Sequence, residues 1–110
     1  MPFIHVKSLP FDPPLAMSRV VEGLTRDFAT GTGIGLEHIT ATWEFLRRGH
    51  YAVAGLTSLN QPQKSHPVRV DVLVPDGNSA EQIEHRLGVI AASITERAGV
   101  PISNIFIHGR

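Results

Sequence analysis

The 110-residue sequence contains no cysteine, and this absence removes one large class of chemistry. Without thiols the chain has no disulfide, no thiolate zinc site and no cysteine nucleophile. Ten basic and ten acidic residues cancel to a net charge of zero, so no positive field attracts phosphate backbones or anionic membrane surfaces. No apolar run approaches the length of a membrane span, about 18 residues. We therefore expect a cytoplasmic protein that binds neither nucleic acid nor membrane.

The sequence also lacks the spacing that metal and cofactor sites require. Its six histidines show no His-x-x-x-His pattern on one predicted helix, which disfavours a metal. The glycine-rich segment GTGIG follows a predicted helix, whereas a dinucleotide-binding loop follows a strand and precedes a helix. We interpret GTGIG as a helix stop, and we expect no cofactor.

Hydrophobic periodicity predicts two helices, four main strands and a hairpin. One helical stripe consists of Met17, Val20, Val21, Leu24 and Phe28, and the other of Ile83, Leu87, Ile90 and Ile94. The first helix should end near Gly31, and the second should begin after an N-cap at Ser79 and end at Gly99. Short apolar segments predict strands at 3–8, 39–45, 68–74 and 102–107. The segment RRGHYAVAGL indicates a hairpin or bulged segment, and PDGN indicates a turn.

The second half of the chain repeats the first half at a constant shift of 66 positions. Ile4 falls on Val70, and Gly33 falls on Gly99, with no gap between them. Amphipathic character alone would align two helices but would not keep strands and helix-ending glycines in one register. We predict a single domain over residues 1–110, with pseudo-repeats at about 2–45 and 68–110.

The predicted fold class is α+β, in which duplicated β-α-β units form a four-stranded sheet with two helices on one face. The other face of the sheet is then uncovered. We expect that face to be apolar, and an apolar face of this size needs a partner. A symmetric oligomer is therefore favoured over a monomer.

Three stretches, in their order and spacing, resemble the tautomerase superfamily. MPFIHVKS is similar to the first strand of that family, and GHYAVAG (49–55) to the hairpin of its 4-oxalocrotonate tautomerase branch. GTGIGLEHI and SNIFIHGR resemble the helix exit and last strand of its macrophage migration inhibitory factor branch. The resemblance covers nearly the whole chain. It implies a long-chain tautomerase-like isomerase, a homotrimer, and a small keto-enol or 2-oxo acid substrate.

The resemblance also implies the site residues. Pro2 stands where the family has its catalytic base, and it becomes a secondary amine once Met1 is removed. Such an amine titrates near pH ~8 and shifts towards neutrality in an apolar pocket. Tyr51 stands where one branch has an active-site Phe, and either donates a hydrogen bond to a developing enolate oxygen or packs in the hairpin. Phe106 and His108 stand where the other branch has an active-site Tyr and Asn, although His108 could equally be structural.

Candidates for binding a substrate carboxylate are Arg47, Arg48 and Arg69, because a guanidinium pairs with a carboxylate through two hydrogen bonds. For Arg69 the alternative is an ion pair within the sheet, with Asp71 or Glu44, and for Arg47 and Arg48 it is a solvated turn. Other positions depart from the family pattern: groups that bind anions in its branches are replaced here by Asp12, Ile34 and Thr40, and the loop 76–78 carries no arginine.

These departures leave two other functions open. One is a non-catalytic trimeric interaction or small-molecule-binding protein on the same scaffold. The other is a ferredoxin-like small-molecule-binding domain that converged on the same β-α-β pattern.

Overall fold

The computed structural model describes residues 2–57, 67–73 and 78–109, which form six strands and two helices. In chain order these are β1 Phe3–Ser8, α1 Met17–Thr32, β2 Thr40–Phe45, β3 Ala52–Val53, β4 Leu56–Thr57, β5 Val68–Leu73, α2 Ala80–Ala98 and β6 Ile105–Gly109. The main sheet has the order β2-β1-β5-β6, and β3 and β4 form a separate hairpin. Strand β1 is antiparallel to β5, while each outer strand is parallel to its neighbour. The predicted fold class is confirmed.

One core lies between the sheet and the helices. The two helices pack against each other and cover the same face of the sheet. Alternate residues of the central strands point into this layer, among them Ile4, Val6, Val70 and Val72, and all are buried. Of the predicted stripe of α1, Phe28 at its C-terminal end is fully buried and Met17 at its N-terminal end is half-buried. No helix among the described residues is long and apolar enough to cross a membrane.

Both helices end at glycines that adopt the left-handed conformation, Gly33 with φ 77° and Gly99 with φ 72°. Helix α1 therefore continues past Gly31, where the sequence predicted its end, because Gly31 keeps helical geometry and Gly33 provides the cap. Helix α2 begins as predicted at Ser79. The Ser79 hydroxyl accepts a hydrogen bond from the Gln82 amide (3.1 Å), and the Gln82 side chain accepts one from the Ser79 amide (2.9 Å).

The last strand starts later than the sequence predicted. Residues Ile102–Asn104 form a 3-10 turn, and β6 covers Ile105–Gly109. The Ile105 amide donates a hydrogen bond back to the Ile102 carbonyl and closes this turn, and Ile102 is 61% exposed. The equivalent turn in the first half is Leu36–His38. The predicted PDGN turn lies mostly outside the described residues.

The two halves are related by an approximate two-fold axis. The register of β1 and β5 places His5 opposite Asp71, and these are equivalent positions in the 66-residue repeat. Between the helices, the Ser93 hydroxyl donates to the Asp27 carboxylate at 2.6 Å, and these two positions are also equivalent. The axis therefore passes through the middle of the sheet and the middle of the helix pair.

The uncovered face of the sheet is not the apolar face that the sequence led us to expect. Because side chains alternate along a strand, the residues beside the buried ones face outward. We call this surface the open face. Its described residues are Phe3, His5, Lys7, Thr40, Thr42, Glu44, Arg69, Asp71, Leu73, Phe106 and His108. Polar side chains fill its centre, while aromatic and aliphatic side chains lie at its margin.

Candidate active site

Pro2 lies immediately before β1 and is buried. Its carbonyl accepts a hydrogen bond from the Thr40 amide (3.1 Å), which joins it to the first residue of β2. In the alternation of β1, Pro2 shares a side with Ile4 and Val6, so it faces the apolar layer under the helices. The predicted base therefore lies at the end of the sheet where β1 and β2 begin.

Tyr51 and Arg48 lie at the opposite end of the sheet. Strand β2 ends at Phe45 opposite Ser8, and the Leu46 amide donates to the Ser8 carbonyl at 2.7 Å. The chain then leaves the sheet towards the β3–β4 hairpin. Arg48 is exposed in the connecting turn, and Tyr51 is half-buried just before β3.

Arg69, Phe106 and His108 lie together on the open face. Arg69 is opposite Phe106 in the β5–β6 register, and His108 is opposite Asp71. The Arg69 Nε atom is 3.9 Å from Asp71 Oδ1, so the ion pair considered from the sequence is present at the outer limit of contact. All three predicted residues are exposed, and Phe106 keeps 61% of its surface accessible.

A single chain does not bring these groups to Pro2. Arg69 is opposite Lys7, five residues along β1 from Pro2, and at the rise of a strand this separation is roughly 17 Å. Tyr51 and Arg48 follow β2 at the same far end of the sheet. Pro2 therefore lies at one end of the sheet and Arg69, Arg48 and Tyr51 at the other, while His108 lies between them, level with His5.

Sequence reasoning missed a polar cluster at the centre of the open face. His5 contacts the Thr42 hydroxyl through Nδ1, and its Nε2 atom is 3.4 Å from Glu44 Oε2. Asp71 Oδ1 is buried and has no hydrogen-bond partner among the described residues. A cavity of about 220 Å³ adjoins the cluster and is lined by Phe3, His5, Asp71, Val72 and Leu73. The 66-residue repeat was the sequence signal that could have pointed to this cluster, because it makes His5 and Asp71 equivalent positions.

The shortest ion pair in the described part of the chain lies outside this region, between the helices. Arg97 donates to both Asp27 carboxylate oxygens, at 2.6 and 2.9 Å. These hydrogen bonds, with that from Ser93, hold the pKa of Asp27 below its ordinary value, although partial burial opposes the shift. A cavity of about 380 Å³ near Arg97 also involves Arg19 and Glu96, on the helix side of the molecule. In the described part of the chain, no cluster of His, Asp or Glu side chains is arranged to hold a metal ion.

Comparison of the sequence with family models and with curated proteins gives no match. Solved structures match along almost the whole chain. Pt0534 inactivated by 2-oxo-3-pentynoate superposes with a TM-score of 0.79 at 18% identity, over 98% of this chain and 84% of that one. A wild-type fused 4-OT symmetric trimer superposes with a TM-score of 0.79 at 15% identity, over 98% and 83%. The chain has the tautomerase-superfamily fold.

A third solved structure with the tautomerase fold is N1, a member of the cis-3-chloroacrylic acid dehalogenase family. Its TM-score is 0.73 at 15% identity, and the match covers 98% of this chain and 73% of that one. At these identities the shared property is the fold. The resemblance inferred from the sequence is confirmed at that level, and the roles of Pro2, Tyr51, Arg48, Arg69, Phe106 and His108 stay predictions.

Proposed function

We propose that the protein is a tautomerase-like isomerase that moves a proton on a small keto-enol or 2-oxo acid. Pro2, freed by removal of Met1, is the general base. The observation that carries this proposal is the position of Pro2, buried immediately before the first strand of a tautomerase fold.

The chemistry follows from placing a secondary amine in an apolar layer. Burial disfavours the ammonium form, which lowers the pKa of such an amine from about 8 towards neutrality. The unprotonated nitrogen of Pro2 takes a proton from the carbon next to the substrate carbonyl, and an enolate forms. The same nitrogen returns the proton to another atom of the conjugated system, so the substrate is isomerised and the amine is regenerated.

The polar groups of the site come from a neighbouring subunit. Because Tyr51, Arg48 and Arg69 lie at the end of the sheet opposite Pro2, a homotrimer supplies them by placing that end beside the next subunit's Pro2. The fused 4-OT structures that share the fold are trimers, which supports this arrangement. In it, Tyr51 donates a hydrogen bond to the enolate oxygen, and Arg48 or Arg69 pairs with a substrate carboxylate.

Phe106 and His108 complete the substrate contacts in this proposal. Phe106 offers an exposed apolar ring beside Arg69, and His108 offers a polar ring beside Asp71. Both lie on the outer strand β6, where a neighbouring subunit can reach them.

The test combines mass spectrometry with kinetics. The mature protein should lack Met1, and the Pro2→Ala variant should isomerise phenylenolpyruvate about 10² to 10⁴ times more slowly than wild type, because a general base contributes that much. Pro14→Ala is the matched control, since Pro14 is exposed and precedes α1. Retention of Met1 in the native host, or full activity of Pro2→Ala, would contradict the proposal.

A second function has one observation in its favour. Asp12, Ile34 and Thr40 occupy positions where other branches of the resembled family carry cationic side chains. A trimeric interaction or small-molecule-binding protein on the same scaffold would not need those groups. The same kinetics separate the two functions: a mature protein that has lost Met1 and is inactive on enol and 2-oxo acid substrates favours the non-catalytic one.

A further inference from the structure

The two ends of the helix pair are equivalent in the 66-residue repeat but are not built alike. At one end, His85 of α2 bonds through Nε2 to the Gly31 carbonyl of α1 at 2.8 Å and bridges the groove between the helices. At the other end the equivalent positions carry Arg19 and Arg97. There the described structure shows no such bond, and the groove opens into the cavity of about 380 Å³. We call it the helix-end cavity, and its lining residues are Leu15, Ala16, Arg19, Val20, Glu96 and Arg97.

A second difference between the halves leaves space at the same place. Gln82 lies in the first turn of α2, and its side chain bonds back to the Ser79 amide at 2.9 Å. The equivalent residue at the start of α1 is Ala16, which offers the cavity only a methyl group. The volume of the helix-end cavity falls near the lower limit of small-molecule pockets, about 300–1,000 Å³. It therefore suits a small ligand.

Arg97 forms a fixed wall of this cavity. Asp27 binds its Nε and Nη2 atoms through the two carboxylate oxygens, at 2.6 and 2.9 Å. The guanidinium lies against the α1 backbone at Gly23, where a Cβ atom would overlap Nη1. A guanidinium has five N–H groups and Asp27 uses two of them, so the others are held ready in a fixed geometry for a ligand.

Arg19 and Glu96 bring one charge of each sign to the cavity. Both side chains are exposed, and neither forms an ion pair with a residue that the structure describes. The hydrogen bonds from Asp27 raise the pKa of Arg97, and the charge of Glu96 adds to this at longer range. Since Asp27 balances Arg97, the charges that remain are those of Arg19 and Glu96. A simple anion would be repelled by Glu96, whereas a ligand with both charges is attracted by both residues.

Leu15 and Val20 give the cavity an aliphatic wall beside these charges. Val20 is buried, and Leu15 is half-buried. An aliphatic group of a ligand leaves water when it packs against them, and this favours binding.

We propose that the helix-end cavity binds an α-amino acid with an aliphatic side chain. Arg19 and Arg97 hold its carboxylate, and Glu96 holds its ammonium group. Its side chain packs against Leu15 and Val20. The cavity lies on the helix side of the sheet, away from the open face, so this inference goes beyond the proposed isomerase and does not rest on it.

A titration of ¹⁵N-labelled protein with L-leucine, followed by NMR, tests this proposal. The backbone amide signals of Ala16, Val20 and Arg97 should shift and saturate together. N-acetyl-L-leucine lacks the ammonium group, and L-leucinamide lacks the carboxylate. Each derivative should bind about tenfold more weakly than L-leucine or worse, because it leaves one charge of the cavity without its partner.

Arg19→Gln and Glu96→Gln remove the two charges in turn and keep polar side chains. Each should raise the dissociation constant of L-leucine by about tenfold. Arg19→Gln should also narrow the difference between L-leucine and L-leucinamide, because the charge that recognises the carboxylate is gone. Glu96→Gln should narrow the difference between L-leucine and N-acetyl-L-leucine for the corresponding reason.

Arg26→Gln and Glu84→Gln are the matched controls. Both residues are exposed on the same two helices, and neither lines the helix-end cavity. These variants should bind L-leucine as wild type does. Pro2→Ala should do so as well, which separates this cavity from the proposed isomerase site.

Three outcomes would overturn the inference. They are no saturable shift up to the solubility of L-leucine, equal binding of L-leucine and both derivatives, and loss of L-leucine binding in Pro2→Ala. None of the first two bears on the isomerase, which its own kinetics test. An inactive isomerase, in turn, leaves the binding of L-leucine in the helix-end cavity unaffected.

Discussion

Replacing Ser8 by alanine should destabilise the fold through the loss of a buried acceptor. Ser8 is the last residue of β1 and is only 1% exposed. Its hydroxyl accepts a hydrogen bond from Trp43 Nε1 at 3.0 Å and donates to the Leu9 carbonyl at 2.9 Å. The indole lies among apolar neighbours and packs against the Phe11 ring, with centroids 5.8 Å apart. In Ser8→Ala the indole N–H loses its acceptor while its ring stays in place.

A donor left without a partner in a buried site costs about 1–3 kcal/mol. Trp43 is half-buried, so water can partly replace the hydroxyl, and we expect the lower part of that range, about 1–1.5 kcal/mol. Trp43→Phe removes the N–H donor. In that background, the cost of Ser8→Ala to the free energy of unfolding should nearly disappear. The double variant should therefore be about 1 kcal/mol more stable than the sum of the single effects implies.

Urea unfolding followed by far-UV circular dichroism measures all four proteins of this cycle. Trp43 is the only tryptophan, so its single indole N–H resonance should also shift and exchange faster in Ser8→Ala. Ser18→Ala is the control, because Ser18 is exposed on α1 and should change stability by less than about 0.5 kcal/mol. Additive single effects, within about 0.5 kcal/mol, would show that this hydrogen bond contributes nothing to stability.

Two further predictions concern the contact between the helices. Asp27→Asn should lower stability at neutral pH, because the hydrogen bonds from Arg97 hold the pKa of Asp27 below its ordinary value. Stability from this carboxylate is present above the unfolded pKa and is lost as pH falls through the lower folded one, so urea midpoints of wild type and variant should converge in acid. Gly31→Ala should lower the melting temperature, because its Cβ would lie 2.8 Å from both Val89 methyl groups. The overpacking, about 1–3 kcal/mol, outweighs a helix-propensity gain of about 1 kcal/mol. Val89→Ala in the same chain should reverse the loss, and a stabilised Gly31→Ala would contradict this packing.

The main helices and strands were predictable because each has a hydrophobic period that can be recognised in a short stretch of sequence. The stripe of α1 and the alternation of β5 follow from burial of one face of each element. The capping box at Ser79 is likewise a local signal. The turn at Ile102–Asn104 was missed because its composition is that of a strand. Its backbone hydrogen bonds, from the Ile105 amide to Ile102 and from the Asn104 amide to Pro101, show that it is not one.

The candidate site was less predictable because it depends on which residues of β1 and β5 lie opposite each other in the sheet. Sequence alternation correctly placed Arg69 on the side of its strand away from the core. It did not show that Arg69 pairs with Lys7 and so lies far from Pro2, since pairing between β1 and β5 joins residues distant in sequence. The same limit hid the polar centre of the open face. His5 and Asp71 are unremarkable apart and become a pair only through the register.

The approximate two-fold axis gives a physical reason for both halves of the repeat to lie in one chain. If two copies of the first half associated alone, the axis would bring together two copies of His5 and two copies of Asp27. Two copies of the second half would likewise oppose two Asp71 carboxylates. The fused chain instead puts histidine beside aspartate in the sheet and serine beside aspartate between the helices. Unlike halves therefore fit each other better than like halves do. Covalent fusion makes that unlike pairing obligatory, and it lets one half keep a proline where the other has Val68.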